Sequence, residues 1–220
     1  MGLKAAYLDF IESSIGEVYG KNVSNLRILE LGDQVIGDPS IIEETGKIYF
    51  INRGYVHTSV DLNGLHGAVI RDLTQPEQFY DWHNSYDIMI NAGTTEHVEP
   101  YEAQYECFSV IHSCIKVGGV FIHLVPDVYE HDEKGAWKNH CRYYYSSNFF
   151  RVLAKECGYK LLSNTVIRGM RCVALRKTKD TFFMRDRGKF LSLVACRKYK
   201  LSFLVKQKVI NGLRRVGLSS

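Results

Sequence analysis

Short apolar runs alternate with amphipathic stretches along most of the chain. Apolar residues at helical spacing predict a leading helix over 3–20 and later helices over 39–53, 100–117 and 147–157. Runs rich in β-branched and apolar residues predict strands over 27–31, 55–61, 68–71, 86–90 and 120–125. Two further runs, 160–167 and 170–176, predict an antiparallel hairpin. This alternation is typical of an α/β fold in which helices cover a mostly parallel sheet.

Polar residues follow three successive predicted strands. The first strand runs into the loop Glu30-Leu-Gly-Asp-Gln34, the second ends at Asp61 and the third is followed by Asp72. Gly32 allows close backbone approach to a ligand, and an acid at the second strand end can accept both hydroxyl protons of a ribose. Asp72 is placed to meet an adenine amino group. Each feature alone is typical of a turn or a helix cap, but together they indicate a nucleoside-cofactor site.

The ordered motifs resemble those of the class I S-adenosylmethionine-dependent methyltransferases, in particular the small type 11-like members. The resemblance covers about residues 1–177 and is carried by 28–32, 60–63, 72–74, 86–98, 115–122 and 140–146. It implies a Rossmann-like, doubly wound, seven-stranded sheet with an antiparallel last strand. It also implies S-adenosylmethionine as cofactor, S-adenosylhomocysteine as product, and transfer to a hydroxyl or amine of a small molecule, with a sugar or glycan precursor as one candidate.

The resemblance also implies a set of cofactor-binding residues in this chain. Asp61 would bind the ribose hydroxyls, and Asp72 with Leu73 would flank the adenine. The full set is Glu30, Gly32, Gln34, Asp61, Leu62, Asp72, Leu73, Asn91, Ala92 and Glu96. The family's loop reads Glu-x-Gly-x-Gly-x-Gly, and here Gln34 replaces the second glycine. Gln34 could donate a hydrogen bond to the cofactor, or it could mark a non-catalytic binding or scaffold protein with the same fold.

Three residues are candidates for handling the acceptor proton. His97 follows the fourth strand beside the expected methyl group, and histidine titrates nearest neutrality. His140 lies in a segment with Trp137 and tyrosines 143–145, which suits a pocket for a sugar or aromatic acceptor. Asp127 follows the fifth strand. The alternative for His97 is a capping or core histidine, and the tyrosines could equally pack in the core.

Other chemistry and other locations receive little support from the sequence. The six cysteines are widely spread without a Cys-x-x-Cys pair, which predicts reduced thiols, and no histidine spacing predicts a metal site. No apolar run approaches the roughly 18 residues of a membrane span, and the N-terminus shows no export signal. The expected location is therefore the cytoplasm.

Positive charge is concentrated near the C-terminus. Residues 176–220 carry a balance of +11, which leaves −7 for residues 1–175 of the total of +4. We therefore expect a methyltransferase-like domain over 1–178 and a basic, helical extension over 179–220. The extension could pack on the domain, or it could lie on an anionic membrane through an apolar stripe near 201–209; nucleic-acid binding is less favoured. The oligomeric state is left open.

Overall fold

Seven strands form one mixed sheet in the computed structural model, which describes residues 2–128 and 140–196. The strands of this sheet are β1 (Arg27–Leu31), β2 (Val56–Asp61), β3 (Val69–Ile70), β4 (Tyr86–Ala92), β5 (Ile115–Pro126), β7 (Tyr159–Ile167) and β8 (Met170–Lys177), and a separate pair is formed by β6 (Tyr143–Tyr144) and β9 (Ala195–Cys196). The helices are α1 (Ala5–Tyr19), α2 (Gly46–Asn52), α3 (Ala103–Cys114), α4 (Ser147–Glu156) and α5 (Arg187–Leu193).

The strand order in the sheet is β3-β2-β1-β4-β5-β8-β7. β1 to β5 pair in parallel, whereas β8 is antiparallel to both of its neighbours. The prediction of a doubly wound, mostly parallel seven-stranded sheet with one antiparallel strand is confirmed. The carboxyl ends of β1, β2, β3 and β4 consequently lie along one edge of the sheet, where open α/β sheets bind ligands.

Alternation along the strands divides the core into two layers. On β1, Ile28 faces a layer with α1 and α2, whereas Leu29 and Leu31 face a layer with α3, α4 and α5. Side chains in a strand point alternately to opposite faces, so the three apolar residues of β1 supply both layers.

The local signals explain most element boundaries. Ser146 caps α4 by accepting a hydrogen bond from the Phe149 amide at 3.1 Å. Arg168 and Gly169 have positive φ angles of 49° and 78°, as the predicted tight hairpin turn requires. The helix expected over 39–53 starts only at Gly46, because Asp38 accepts the Ser40 amide in a turn and the cap is Thr45, whose side chain accepts the Ile48 amide at 3.3 Å.

The first part of the expected C-terminal extension belongs to the domain. Phe183, Met184, Phe190 and Val194 are buried in the layer formed with α3 and α4, and β9 pairs with β6. The expected boundary after residue 178 therefore does not separate two packing units. The apolar stripe near 201–209 lies outside the described residues, and its membrane role stays a prediction.

Two further expectations concern cysteines and membrane spans. The cysteine side chains that the structure describes are buried free thiols. Within residues 2–128 and 140–196, no helix has the length and apolar character needed to cross a bilayer.

Candidate functional site

A cleft of about 400 Å³ opens at the carboxyl edge of the sheet. This volume is within the usual range for small-molecule sites. Four of the predicted cofactor residues and one predicted catalytic residue line it together: Asp61, Leu62, Asp72, Leu73 and His97. The lining also includes Thr94 and Glu99, which the sequence reasoning did not single out. Their position in the segment that follows β4 is the signal that could have identified them.

Asp61 is fixed at the end of β2 by two backbone donors. Its carboxylate accepts the Asp33 amide at 3.2 Å and the Asn63 amide at 3.0 Å, each on a different oxygen. A carboxylate has about four acceptor positions, so two remain for a ligand. The loop after β1, which donates the Asp33 amide, is held in place by a contact between the Asp33 and His66 side chains.

Asp72 is fixed by its own turn. Its carboxylate accepts the Thr74 amide at 2.9 Å, and its backbone amide donates to Gln78 Oε1 at 2.8 Å. Leu73 beside it is buried, whereas Leu62 after β2 is exposed over 68% of its surface. The cleft therefore has an acid and an apolar side chain at the ends of both β2 and β3.

Gln34 fills the space between the ends of β1 and β4. Its Nε2 donates to the Leu31 carbonyl at 3.2 Å and to Thr94 Oγ1 at 3.4 Å, and the side chain is buried. Gly32 has a φ of +80°, and a Cβ there would lie 2.5 Å from Thr94 Oγ1 and 2.7 Å from Gln34 Nε2. Only glycine fits at position 32, but the space it leaves is occupied by the Gln34 amide.

Asn91, at the end of β4, is fully buried. Its Nδ2 donates to Thr95 Oγ1 at 2.8 Å and to His123 Nδ1 at 3.1 Å, and its Oδ1 accepts the Thr95 amide at 3.2 Å. Burial lowers the pKa of His123 to about 3, so its ring is neutral and can accept this bond. His123 is thus a buried core residue, and Asn91 supports the turn after β4 instead of lining the cleft.

Glu30 and Ala92 also lie away from the cleft. Glu30 is on the α2 side of the sheet, where its Oε2 is 3.5 Å from His57 Nε2 and burial raises its pKa. Gly46 makes room for it, because a Cβ at that position would lie 2.4 Å from Glu30 Oε1. Ala92 borders a small closed cavity beside Gln34 that has no room for a water molecule.

The turn after β4, Thr95–His97, is held between β4 and α3. Gln104 Nε2 donates to the carbonyls of Thr95 and Val98 at 2.8 and 2.7 Å. Glu96 in this turn is fully buried, and burial raises its pKa to about 8. Burial and the neighbouring His140 lower the pKa of His97 to about 4. The His97 and His140 rings are 5.0 Å apart at 82°, so the structure brings these two candidates together.

Asp127 and the tyrosines have structural roles. Asp127 Oδ2 accepts from Arg171 Nε at 2.6 Å in a buried ion pair, and Asp127 does not line the cleft. Tyr143, Tyr144 and Tyr145 are at most 1% exposed, and Tyr145 donates to Gln104 Oε1 at 2.6 Å. The expectation that these tyrosines form an open acceptor pocket is therefore wrong. Trp137 lies outside the described residues.

Solved structures share this architecture at low sequence identity. A 1,6-didemethyltoxoflavin-N1-methyltransferase from Burkholderia thailandensis, with 1,6-didemethyltoxoflavin and S-adenosylhomocysteine bound, is 16% identical, with a TM-score of 0.51 over 80% of this chain and 82% of that one. An S-adenosylmethionine-dependent methyltransferase from Clostridium acetobutylicum is 11% identical, with a TM-score of 0.51 over 77% and 90%. No protein-family model and no curated protein sequence matches the chain. The chain has the fold of the class I S-adenosylmethionine-dependent methyltransferases.

Proposed function

We propose that the protein is an S-adenosylmethionine-dependent methyltransferase that acts on a hydroxyl or amine of a small molecule. The observation that carries the proposal is the open cleft at the strand ends, with Asp61 and Asp72 in its wall. Two acids at adjacent strand ends match the hydroxyl and amino donors of an adenosine. The fold agrees with this interpretation, but many functions occur on one fold, so the proposal depends on the site.

The residues of the cleft fit the adenosine half of the cofactor. Asp61 keeps acceptor capacity for both ribose hydroxyls, because its present partners are only two amides. Leu62 and Leu73 offer apolar contact on either side of an adenine ring, and Asp72 offers an acceptor for its amino group. These are the roles that we assign to the four residues.

S-adenosylmethionine supplies an electrophilic methyl group on a sulfonium, so the protein's main contribution is to hold the two reactants in line. His97 borders the cleft, and its low pKa keeps the ring neutral at pH 7. Its neutral ring can therefore accept a hydrogen bond from an acceptor hydroxyl or amine in the cleft. His140 lies beside it as a second neutral imidazole, because burial also lowers its pKa.

The acceptor class rests on the size of the cleft and on the related structures. The Burkholderia structure is that of an N1-methyltransferase with 1,6-didemethyltoxoflavin bound, which supports a small-molecule acceptor here. The main sequence feature in favour of a sugar or glycan precursor was the run of three tyrosines at 143–145. Because these tyrosines are buried in the core, they do not support that acceptor class.

Gln34 favours a second candidate function. Gln34 stands where the family's loop has its second glycine, and its buried amide fills the space beside Gly32. A protein in which this space stayed closed would bind adenosine-like ligands without methyl transfer, as a binding or scaffold subunit.

Calorimetric titration of the full chain with S-adenosylhomocysteine tests the proposal. We expect saturable binding, and at least tenfold weaker binding by Asp61→Ala, which removes two charge-assisted hydrogen bonds of about 1.5–3 kcal/mol each. Asp9→Ala, an exposed acid on α1, is the matched control and should bind like the wild type. If the folded wild type does not bind S-adenosylhomocysteine, the proposal is contradicted. Binding of adenosine without binding of S-adenosylhomocysteine would favour the second candidate.

A further inference from the structure

Three potential metal ligands converge at the rim of the cleft. One ligand atom from each of Glu96, His97 and His140 lies within 4.8 Å of the others. Zinc bonds to nitrogen and oxygen are about 2.0–2.2 Å long, so the ligand atoms of one tetrahedral ion lie about 3.4 Å apart. The three ligand atoms are therefore up to about 1.4 Å wider apart than in a closed site, and rotations of the two exposed histidines would bring them together.

Glu96 carries an independent sign of a missing partner. Its side chain is 0% exposed, and neither carboxylate oxygen has a hydrogen-bond partner within residues 2–128 and 140–196. Buried polar groups are almost always paired, and an unpaired buried carboxyl group loses the hydrogen bonds that water would supply. A bound cation beside the two imidazoles would supply the partner that this carboxylate lacks.

The surrounding contacts hold the three residues in register. Gln104 binds both ends of the Thr95–His97 turn, and the same side chain accepts from Tyr145. Arg142 NH1 is 3.3 Å from Glu99 Oε2, which links the segment that carries His140 to the segment after His97. The three side chains therefore come from two segments that an ion pair links. Residues outside the ligand set commonly orient metal ligands in this way.

We propose that Glu96, His97 and His140 bind a divalent cation. One carboxylate and two imidazoles favour a first-row transition ion such as Zn²⁺ or Mn²⁺ over Ca²⁺, which takes oxygen ligands only. Three protein ligands leave positions open for water or a substrate oxygen, as in catalytic metal sites. Because His97 also lines the cleft, those open positions would be close to a bound small molecule.

The role of the cation rests on the proposed function. Bound to an acceptor hydroxyl, it would lower the pKa of that hydroxyl, so that the proton leaves to solvent. The oxygen then forms a bond to the methyl carbon of S-adenosylmethionine while the carbon–sulfur bond breaks and its electron pair stays on sulfur. The products are the methyl ether, S-adenosylhomocysteine and one proton. In this scheme His97 is a ligand of the cation and not the direct proton acceptor.

The test is metal binding by the full chain after removal of metals with a chelator. Calorimetry with Zn²⁺, Mn²⁺ and Mg²⁺ separately, and elemental analysis after dialysis, should show one equivalent of Zn²⁺ or Mn²⁺. Glu96→Gln, His97→Ala and His140→Ala should each weaken binding by at least about tenfold. His83→Asn is the matched control, because His83 precedes β4 and lies at the opposite edge of the sheet. Glu96→Gln keeps the shape of the buried side chain, and the cation should raise the melting temperature of the wild type but not of this variant.

Two outcomes would overturn the proposal: no stoichiometric binding of any of the three cations, or binding that the three variants and the His83 control retain equally. S-adenosylhomocysteine is titrated in parallel into the metal-free and metal-loaded protein. Metal binding without nucleoside binding would reject the transferase and keep the metal site, whereas the reverse result would reject the metal site alone.

Discussion

The carboxyl edge of the sheet has an open half and a closed half. In the open half, at the ends of β2 and β3, Asp61 and Asp72 line a cleft and are held by backbone amides. In the closed half, at the ends of β1 and β4, Gln34 and Asn91 are buried and bonded to neighbouring protein groups. Both halves have polar residues at or near the carboxyl ends of parallel strands, yet only the polar residues of the open half line the cleft.

The difference lies in hydrogen-bonding capacity. A carboxylate only accepts, and after two backbone amides have donated to it, it still has room for a ligand's donors. An amide side chain both donates and accepts, so Asn91 can satisfy Thr95 and His123 at the same time. Position at a strand end therefore does not by itself make a residue available to a ligand. The residue must also keep hydrogen-bonding capacity after its bonds to neighbouring protein groups are formed.

The largest expected effect concerns His97, which borders the cleft from the turn after β4. Since His97 borders the cleft, we expect His97→Asn to lower turnover by about 10²–10⁴-fold, whether the ring accepts the proton or holds a cation. Release of S-adenosylhomocysteine with a panel of small hydroxyl and amine acceptors measures this. Affinity for S-adenosylhomocysteine should be nearly unchanged, and full activity of the variant would leave positioning alone as the catalytic device.

A smaller effect is expected in the closed half, where acid should lower the free energy of unfolding through His123. The folded protein holds the pKa of His123 near 3, whereas an unfolded histidine titrates near 6.5. Protons therefore bind the unfolded chain first as the pH falls below 6.5, and the free energy of unfolding decreases until the pH reaches about 3. At pH 5 this residue should account for a loss of about 2 kcal/mol.

Urea unfolding of the wild type and of His123→Gln between pH 7 and pH 4 measures this term. The variant keeps a polar side chain beside Asn91 but cannot titrate, so its stability should fall less steeply with acid. Equal slopes for the two proteins would show that the ring is not held neutral by burial. His97 and His112 also have lowered pKa values, so only the difference between the two slopes reports on His123.

Much of the fold could be predicted from the sequence because its signals are local. The strands came from short apolar runs, and the α4 start came from a serine before a helical run. The sequence also predicts which face of the sheet Glu30 occupies. Because side chains alternate along a strand, Glu30 shares the face of Ile28 and lies opposite Leu29 and Leu31. The family resemblance led instead to a cofactor contact.

Long-range packing sets the limit of the prediction. His140 follows Glu96 by more than forty residues, so no ligand spacing in the sequence indicates that they meet. Phe190 lies in a basic segment that reads as a tail, and only the tertiary structure shows that its ring is buried against α3 and α4. Burial of Tyr145 likewise depends on contacts with Gln104 and Phe108 of α3, which a local pattern does not contain.

The smallest effect, and the most direct test of the comparison, is expected from Gln34→Gly. The variant removes the amide that lies between Gly32 and Thr94 and so should extend the open half into the closed half. If the methionine half of the cofactor is crowded by this amide, affinity for S-adenosylhomocysteine should rise by up to about tenfold, which is about 1.4 kcal/mol, while affinity for adenosine should not change.

Gln34→Ala is the control for backbone freedom, because it removes the same amide without adding a glycine, and it should give a similar gain. The cost is two hydrogen bonds of the Gln34 side chain, so both variants should unfold at slightly lower urea concentration. Weaker S-adenosylhomocysteine binding by both variants would instead show that the Gln34 amide contacts the cofactor, and the closed half would then be part of the binding site.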